Sequence, residues 1–156
     1  MSTKFNVELD IQNGKAEVRL IGLMDEDMDL SKIGAINEDN LKIDFNEVTG
    51  INSCGIRDWI TFLGSLPTEM TVTYINCPQA IIEQMNMVKG FLPDGALIES
   101  FYAPFFCEAC DNEQKVKMSP SDIVDGKAPT NLKCSSCGAE GLEFDALPNQ
   151  YFHFIK

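Results

Sequence analysis

Four of the six cysteines stand in two closely spaced pairs, Cys107-Glu-Ala-Cys110 and Cys134-Ser-Ser-Cys137. A gap of two residues lets one tight turn aim both sulfurs of a pair at the same ion, and four thiolates are the tetrahedral donor set of structural zinc sites. Gly138 follows the second pair and can take the positive φ that such a turn commonly needs. The spacing predicts one metal site with the ligands Cys107, Cys110, Cys134 and Cys137.

Zinc is the favoured metal for these four thiolates. Four protein ligands leave no open coordination position, so we expect one structural ion and no hydrolytic centre. Tetrahedral sulfur also suits iron, and the stretch Cys-Ser-Ser-Cys-Gly at 134–138 resembles a rubredoxin knuckle. A rubredoxin-like iron electron carrier, or a thiol redox sensor that uses the two C-x-x-C knuckles, is therefore the alternative function. Disulfides are less favoured because we expect a cytoplasmic chain, whose thiols are kept reduced.

The stretch Asn52-Ser53-Cys54-Gly55 precedes a helical pattern and holds a second candidate site. A hydroxyl at the start of a helix lies beside unsatisfied backbone N–H groups. A phosphate on Ser53 would add about −1.5 to −2 charges and would be held by those groups and by the helix dipole. Ser53 is therefore the candidate phosphorylation site of a binding switch. The alternative is that Asn52 or Ser53 only caps the helix.

The 156 residues include 24 acidic and 12 basic side chains, a formal net charge of −12. This charge disfavours nucleic acids and anionic membrane surfaces, since both are bound through Lys and Arg. No apolar run approaches the roughly 18 residues that a membrane helix needs. The first residues lack the basic, apolar and small-residue order of a secretory signal. We expect a cytoplasmic protein that binds neither nucleic acid nor membrane.

Hydrophobic periodicity predicts strands and helices in alternation over the first two thirds of the chain. Asn13-Gly14 marks a hairpin, Pro67 ends a helix and Pro78 opens one. The predicted fold is α/β, with a mixed sheet and helices mainly on one face, in the order β-β-α-β-α-β-α-β. The ranges are strand 5–11, strand 15–21, weak helix 24–39, strand 41–45, helix 56–66, strand 70–75, a helix from 78 and strand 96–101.

The knuckles begin after this unit, so we divide the chain into a domain at 1–104 and a four-cysteine zinc-ribbon-like subdomain at 105–156. Short strands are expected in the ribbon at 142–144 and 151–155. His153, the one histidine, alternates with aromatic residues and is predicted to be a strand side chain.

The element order, together with the stretches 18–25 (VRLIGLMD) and 41–56 (LKIDFNEVTGINSCGI), resembles the STAS domain. This fold is shared by sulfate-transporter tails and anti-sigma-factor antagonists. In many antagonists a kinase phosphorylates the serine that follows the Asp of an Asp-Ser-Ser/Thr-Gly motif, and by position that serine is Ser53. The chain departs from the motif at two places, with Asn52 in place of the Asp and Cys54 in place of the second hydroxyl residue.

The resemblance implies a non-catalytic regulatory module for signal transduction, of the anti-sigma-factor-antagonist type. The partner it implies is an anti-sigma-type serine kinase with a histidine-kinase-like ATP fold. The predicted docking surface is the amino-terminal end of the Ser53 helix, comprising Asn52, Ser53, Cys54, Gly55 and Arg57.

The sequence carries no enzyme signature: it has no phosphate-binding glycine loop, no nucleophile elbow and no His–carboxylate pair. Cys54 is interpreted as a small residue in a turn, with a reactive thiol as the alternative. The acidic run 25–29 is interpreted as solvated surface, with a hard-cation site as the alternative. The oligomeric state stays open, and a homodimer is one of the alternatives.

Overall fold

The computed structural model describes residues 4–34, 36–130 and 132–155, which form two sheets and four α-helices. A single 3₁₀ turn, Pro120–Asp122, follows the seventh strand. The strands are β1 Asn6–Gln12, β2 Lys15–Met24, β3 Asn40–Ile51, β4 Thr71–Ile75, β5 Leu97–Ile98, β6 Phe101–Cys107, β7 Asn112–Met118 and β8 Glu143–Phe144. The helices are α1 Ser31–Gly34, α2 Ser53–Gly64, α3 Gln79–Met87 and α4 Pro148–Tyr151.

The first sheet contains five strands in the order β1-β2-β3-β4-β5. β1 and β2 pair antiparallel, and the other neighbours pair in parallel. Asn13 and Gly14 join the hairpin with φ angles of 51° and 76°, as a two-residue turn between twisted strands requires. The predicted element order and mixed α/β fold class are confirmed.

One face of this sheet carries the core. In β2, Val18 and Leu20 are buried, whereas Glu17 and Arg19 on the opposite face are exposed. Trp59 of α2 packs edge-on against Phe45 of β3. Helices therefore cover the apolar face, and the polar face is left to solvent.

The second sheet has three antiparallel strands in the order β7-β6-β8. An isolated parallel bridge joins Cys77, just after β4, to Phe101 at the start of β6. β6 therefore continues the ladder on the side of β4 where β5 pairs. The predicted domain boundary after residue 104 falls inside β6 and stays a prediction.

Two hydrogen bonds tie the carboxy-terminal segment back to the rest of the chain. The Tyr151 hydroxyl donates to the backbone oxygen of Tyr102 at 2.6 Å, and Asn86 Nδ2 in α3 donates to the backbone oxygen of Tyr151 at 2.8 Å. The ring of Phe101 also packs edge-on against the rings of Phe152 and Phe154. The segment that carries α4 is thus packed against β6 of the second sheet and against helix α3.

The strand predicted at 151–155 is wrong. Pro148 opens the short helix α4, and the residues after it form a turn. Tyr151 and Phe152 are both buried although they are adjacent, and a strand would turn them to opposite faces. His153 consequently lies exposed in the turn and is not a strand side chain.

Other elements differ from the prediction in extent. Only Ser31–Gly34 is helical within 24–39, where Ala35 lies outside the described residues. The strand expected at 96–101 is divided between β5 and the first residue of β6, and β3 continues to Ile51. β7 was not predicted, because its polar sequence NEQKVKM carries little hydrophobic signal. Among the described residues, no helix is long and apolar enough to cross a membrane.

Candidate functional site

The predicted docking residues lie where β3 ends and α2 begins. Ile51 of β3 pairs with Met24 of β2, and the backbone N–H of Asn52 donates to the Met24 oxygen at 3.1 Å. α2 starts at the next residue, Ser53. The start of α2 is therefore fixed against the carboxyl ends of two parallel strands.

The amide of Asn52 forms hydrogen bonds in two directions. Its Oδ1 accepts the backbone N–H of Gly55 at 2.9 Å and so caps α2, while its Nδ2 donates to Glu26 Oε2 at 3.0 Å. The predicted cap is confirmed for Asn52. An aspartate here could cap the helix but could not donate to Glu26, because an ionised carboxylate only accepts hydrogen bonds.

Gly55 permits a close approach between α2 and β2. A Cβ built on Gly55 would lie 2.0 Å from the backbone oxygen of Met24 and 2.6 Å from its carbonyl carbon. Real Cβ atoms do not approach a carbonyl this closely, so the glycine is required by the packing of two backbones. The first turn of α2 therefore has little room to move.

The remaining docking candidates lie in or just beyond this turn. Ser53 is exposed, Cys54 is half-buried, and Arg57 is exposed one turn further along. The Arg57 guanidinium lies 3.4 Å from the carboxylate of its neighbour Asp58, an ion pair at the surface. The structure thus brings Asn52, Ser53, Cys54, Gly55 and Arg57 together at one end of α2.

The surface beside this helix end is acidic. Carboxylate oxygens of Asp25, Glu26 and Asp27 all lie within 4.8 Å of one another. Hydrogen bonds from its own backbone N–H and then from Asn52 lower the pKa of Glu26 below its ordinary value. Glu26 was missed as a partner of the candidate site, because it contacts Asn52 across 26 positions of sequence.

The second candidate site is the cysteine cluster, in which all four sulfurs lie within 4.8 Å of one another. Two sulfur–sulfur contacts join one knuckle to the other: Cys107 to Cys137 and Cys110 to Cys134, both at 3.6 Å. In a tetrahedral site with metal–sulfur bonds of about 2.3 Å, the sulfurs lie about 3.8 Å apart. The donor set fits one tetrahedral ion, either zinc or iron.

Each knuckle is a turn closed by backbone hydrogen bonds. The N–H of Asp111 donates to the Cys107 oxygen at 2.8 Å, and the N–H of Gly138 donates to the Cys134 oxygen at 2.9 Å. Asp111 and Gly138 have φ angles of 60° and 75°, so the positive φ predicted at Gly138 is confirmed. The first knuckle connects β6 to β7, and the second precedes β8.

The four thiols have unequal surroundings. Cys107 and Cys134 are buried, each with 3% of its surface exposed, whereas Cys137 is exposed. Backbone N–H groups of Cys137 and Ser136 lower the pKa of Cys134 to about 6, while desolvation and neighbouring sulfurs raise the pKa of Cys110 to about 12. Hydrogen bonds from the neighbouring backbone N–H groups thus favour the ionised form of Cys134.

The other two cysteines are separate from the cluster. Cys77 is fully buried at the bridge between the sheets, and burial raises the pKa of its thiol well above the usual range.

No protein-family model matches the sequence, and no curated protein matches it. Among solved structures, the chain is similar to the crystal structure of an anti-sigma factor antagonist from Mycobacterium paratuberculosis. The identity is 19%, the match covers 51% of this chain and 75% of that chain, and the TM-score is 0.45. The fold class rests on the strand order and pairing described above.

Proposed function

We propose that this chain is a non-catalytic regulatory module of the cytoplasm that docks a protein partner on the amino-terminal end of α2. Phosphorylation of Ser53 switches this docking. The observation that carries the proposal is the exposed Ser53 hydroxyl in a helix turn that Asn52 and Gly55 hold in place. The STAS resemblance of the sequence points to an anti-sigma-type serine kinase as the partner.

The switch would act through charge at a rigid surface. A phosphate on Ser53 adds about −1.5 to −2 charges, and the free N–H groups of the first turn can hold it without unfolding α2. The new charge lies on the helix end that the partner contacts, close to the Glu26 carboxylate that Asn52 holds. A partner that places carboxylates or tightly packed backbone against this helix end would be repelled.

The cysteine cluster has a separate, structural role in this proposal. One zinc ion held by Cys107, Cys110, Cys134 and Cys137 would close the two knuckles of a zinc ribbon on the three-stranded sheet. Four thiolates saturate the ion, which leaves it no position for substrate. The energy of metal binding would add to the stability of this segment, because the ligands are brought together only in the folded chain.

The proposal is tested by capturing partners from an extract of the cells that make the protein. The baits are the wild-type chain, Ser53→Asp and Ser121→Asp, and the captured proteins are identified by mass spectrometry. Ser121 is an exposed serine outside α2, so it controls for the added negative charge. We expect a kinase-like protein to be held by the wild type and by Ser121→Asp and to be lost with Ser53→Asp.

Two results would contradict the proposal. Recovery of the same proteins by all three baits would show that Ser53 does not control binding and serves only at the start of the helix. Loss of the partner with both aspartate variants would assign the effect to overall charge and not to the α2 surface.

A further inference from the structure

We propose that Gln114 is a positioning residue for the metal centre, in which its carboxamide fastens the second knuckle to β7. Its Nε2 donates to the sulfur of Cys134 at 2.8 Å, and its Oε1 accepts the backbone N–H of Ser135 at 3.2 Å. One side chain thus holds both a ligand and the backbone beside it. The inference rests on the metal site proposed above.

The two contacts define the orientation of the amide. Rotating the carboxamide by half a turn would put its oxygen against the electron-rich sulfur and its NH₂ group against another N–H donor. Only the observed orientation satisfies both neighbours. The sulfur accepts this hydrogen bond, which suits a thiolate or a metal-bound thiolate.

The position of Gln114 in β7 also calls for an explanation. Along β7, Val116 and Met118 lie on the inner side, and Met118 is buried, while Lys115 and Lys117 are exposed. Gln114 shares the inner side by the alternation of a strand and is half-buried. An apolar residue would ordinarily occupy this place, and the hydrogen bonds to the second knuckle account for the amide.

The hydrogen bond has two consequences for a bound ion. A divalent ion with four thiolates carries a net charge of about −2, which N–H donors to sulfur offset. Cys134 receives one such bond from Gln114 and a longer one from the backbone N–H of Ser136 at 3.4 Å. Without Gln114 the second knuckle loses its tether to β7, and the Cys134 sulfur becomes a stronger electron donor to the metal.

The test compares metal binding by the purified full chain and three variants. Gln114→Leu removes both contacts, and Gln114→Glu keeps the size and the acceptor but removes the donor. Lys115→Leu places the same apolar side chain one position along, on the outer face, and serves as the matched control. Zinc affinity is measured by competition with a chromophoric chelator, and Co²⁺ spectra are recorded for each chain.

We expect one ion per wild-type chain and a loss of about 10- to 100-fold in zinc affinity for both Gln114 variants. The sulfur-to-cobalt charge-transfer band should also move to longer wavelength in these variants, a shift that a merely destabilised fold would not give. Lys115→Leu should match the wild type in both measurements. If Gln114→Leu fails to fold, the near-isosteric Gln114→Glu still decides the result.

The experiment separates a failure of the proposed metal site from a failure of the role proposed for Gln114. A wild-type chain that binds neither zinc nor cobalt would overturn the metal site and this inference with it. One ion per wild-type chain, with unchanged affinity and spectrum in both Gln114 variants, would overturn the role of Gln114 alone. An equal loss in Lys115→Leu would do the same, because any change in β7 would then suffice.

Discussion

At the scale of single residues, the proposed docking site depends on an amide that both donates and accepts hydrogen bonds. Asn52 joins the cap of α2 to the acidic loop after β2 through Gly55 and Glu26. This explains why the chain tolerates asparagine where the resembling STAS motif has aspartate. Two carboxylates would otherwise face each other at the distance of the present hydrogen bond.

The Asn52–Glu26 contact predicts a coupling between the two positions. Asn52→Asp should lower the free energy of unfolding more in the wild-type chain than in the Glu26→Gln variant. Only in the wild-type chain would the new carboxylate face the carboxylate of Glu26. The four free energies of unfolding, measured in urea, give the coupling directly. Equal effects of Asn52→Asp in both backgrounds would show that the contact contributes nothing.

Glu26 also predicts part of the dependence of stability on pH. Its pKa is lower in the folded chain than the ordinary value of 4.5. A lowered carboxyl pKa adds stability above the unfolded value, and this contribution is lost as the pH falls through the folded value. Glu26→Gln should therefore lose less stability than the wild type on acidification below about pH 4.5. Urea midpoints at several pH values measure this, and parallel curves would contradict it.

Sequence could locate the four cysteines and Ser53 but not the side chains that support them. The C-x-x-C spacing and the capping stretch are local patterns, visible within a few residues. Glu26 reaches Asn52 across 26 positions, and Gln114 reaches Cys134 across 20. Such contacts depend on which strands become neighbours, which the local pattern does not specify.

At the scale of elements, the start of α2 is set by the contact between two backbones. Gly55→Ala should destabilise the fold by about 1–3 kcal/mol, because a new Cβ meets the Met24 carbonyl and neither backbone can move aside easily. The measurement is the free energy of unfolding in urea.

Gly64 at the other end of the same helix is the matched control. Beyond its own helix backbone and chain neighbours, no atom of the described residues lies within 4 Å of a Cβ built on Gly64, so Gly64→Ala should be neutral or stabilise by up to about 1 kcal/mol. Equal effects of the two substitutions would show that helix propensity, and not the Met24 contact, decides the outcome.

Periodic elements could be predicted from sequence, and elements without a period could not. The Asn13-Gly14 turn and the helical spacing of apolar residues in α2 are both visible in the sequence. The hairpin and the helix are both present in the structure. β7 is too polar for a hydrophobic pattern, yet it is held by its complete ladder to β6. The strand predicted from the aromatic alternation at 151–155 is wrong because Pro148 starts a helix, which buries two consecutive aromatic residues.

At the scale of the whole molecule, the two sheets are joined through β6. The bridge from Cys77 to Phe101 and the hydrogen bond from Asn86 to Tyr151 link the segment with the cysteine cluster to β4 and α3. Cys107, a predicted ligand, is the last residue of the same strand β6. Disturbing the cysteine cluster should therefore affect both sheets.

Removal of the proposed metal ion should lower the stability of the whole chain and not of residues 105–155 alone. A ligand that binds only the folded state at about 1,000 times its Kd contributes about 4 kcal/mol. We expect a chelator to lower the thermal midpoint and to speed amide hydrogen exchange in α3 as well as in β6. Cys134→Ser should mimic the chelator, whereas Cys54→Ser, outside the cluster, should not. Faster exchange confined to 105–155 would instead support two independent domains.

Control of partner binding by Ser53 at the start of α2 is tested most directly by one comparison of affinities. The captured partner, purified, is titrated calorimetrically with the unphosphorylated chain and with the chain carrying phosphate on Ser53 alone. We expect phosphate to weaken binding at least about tenfold, within the range of regulatory couplings. Affinities that agree within about twofold would fall below that range and contradict the switch.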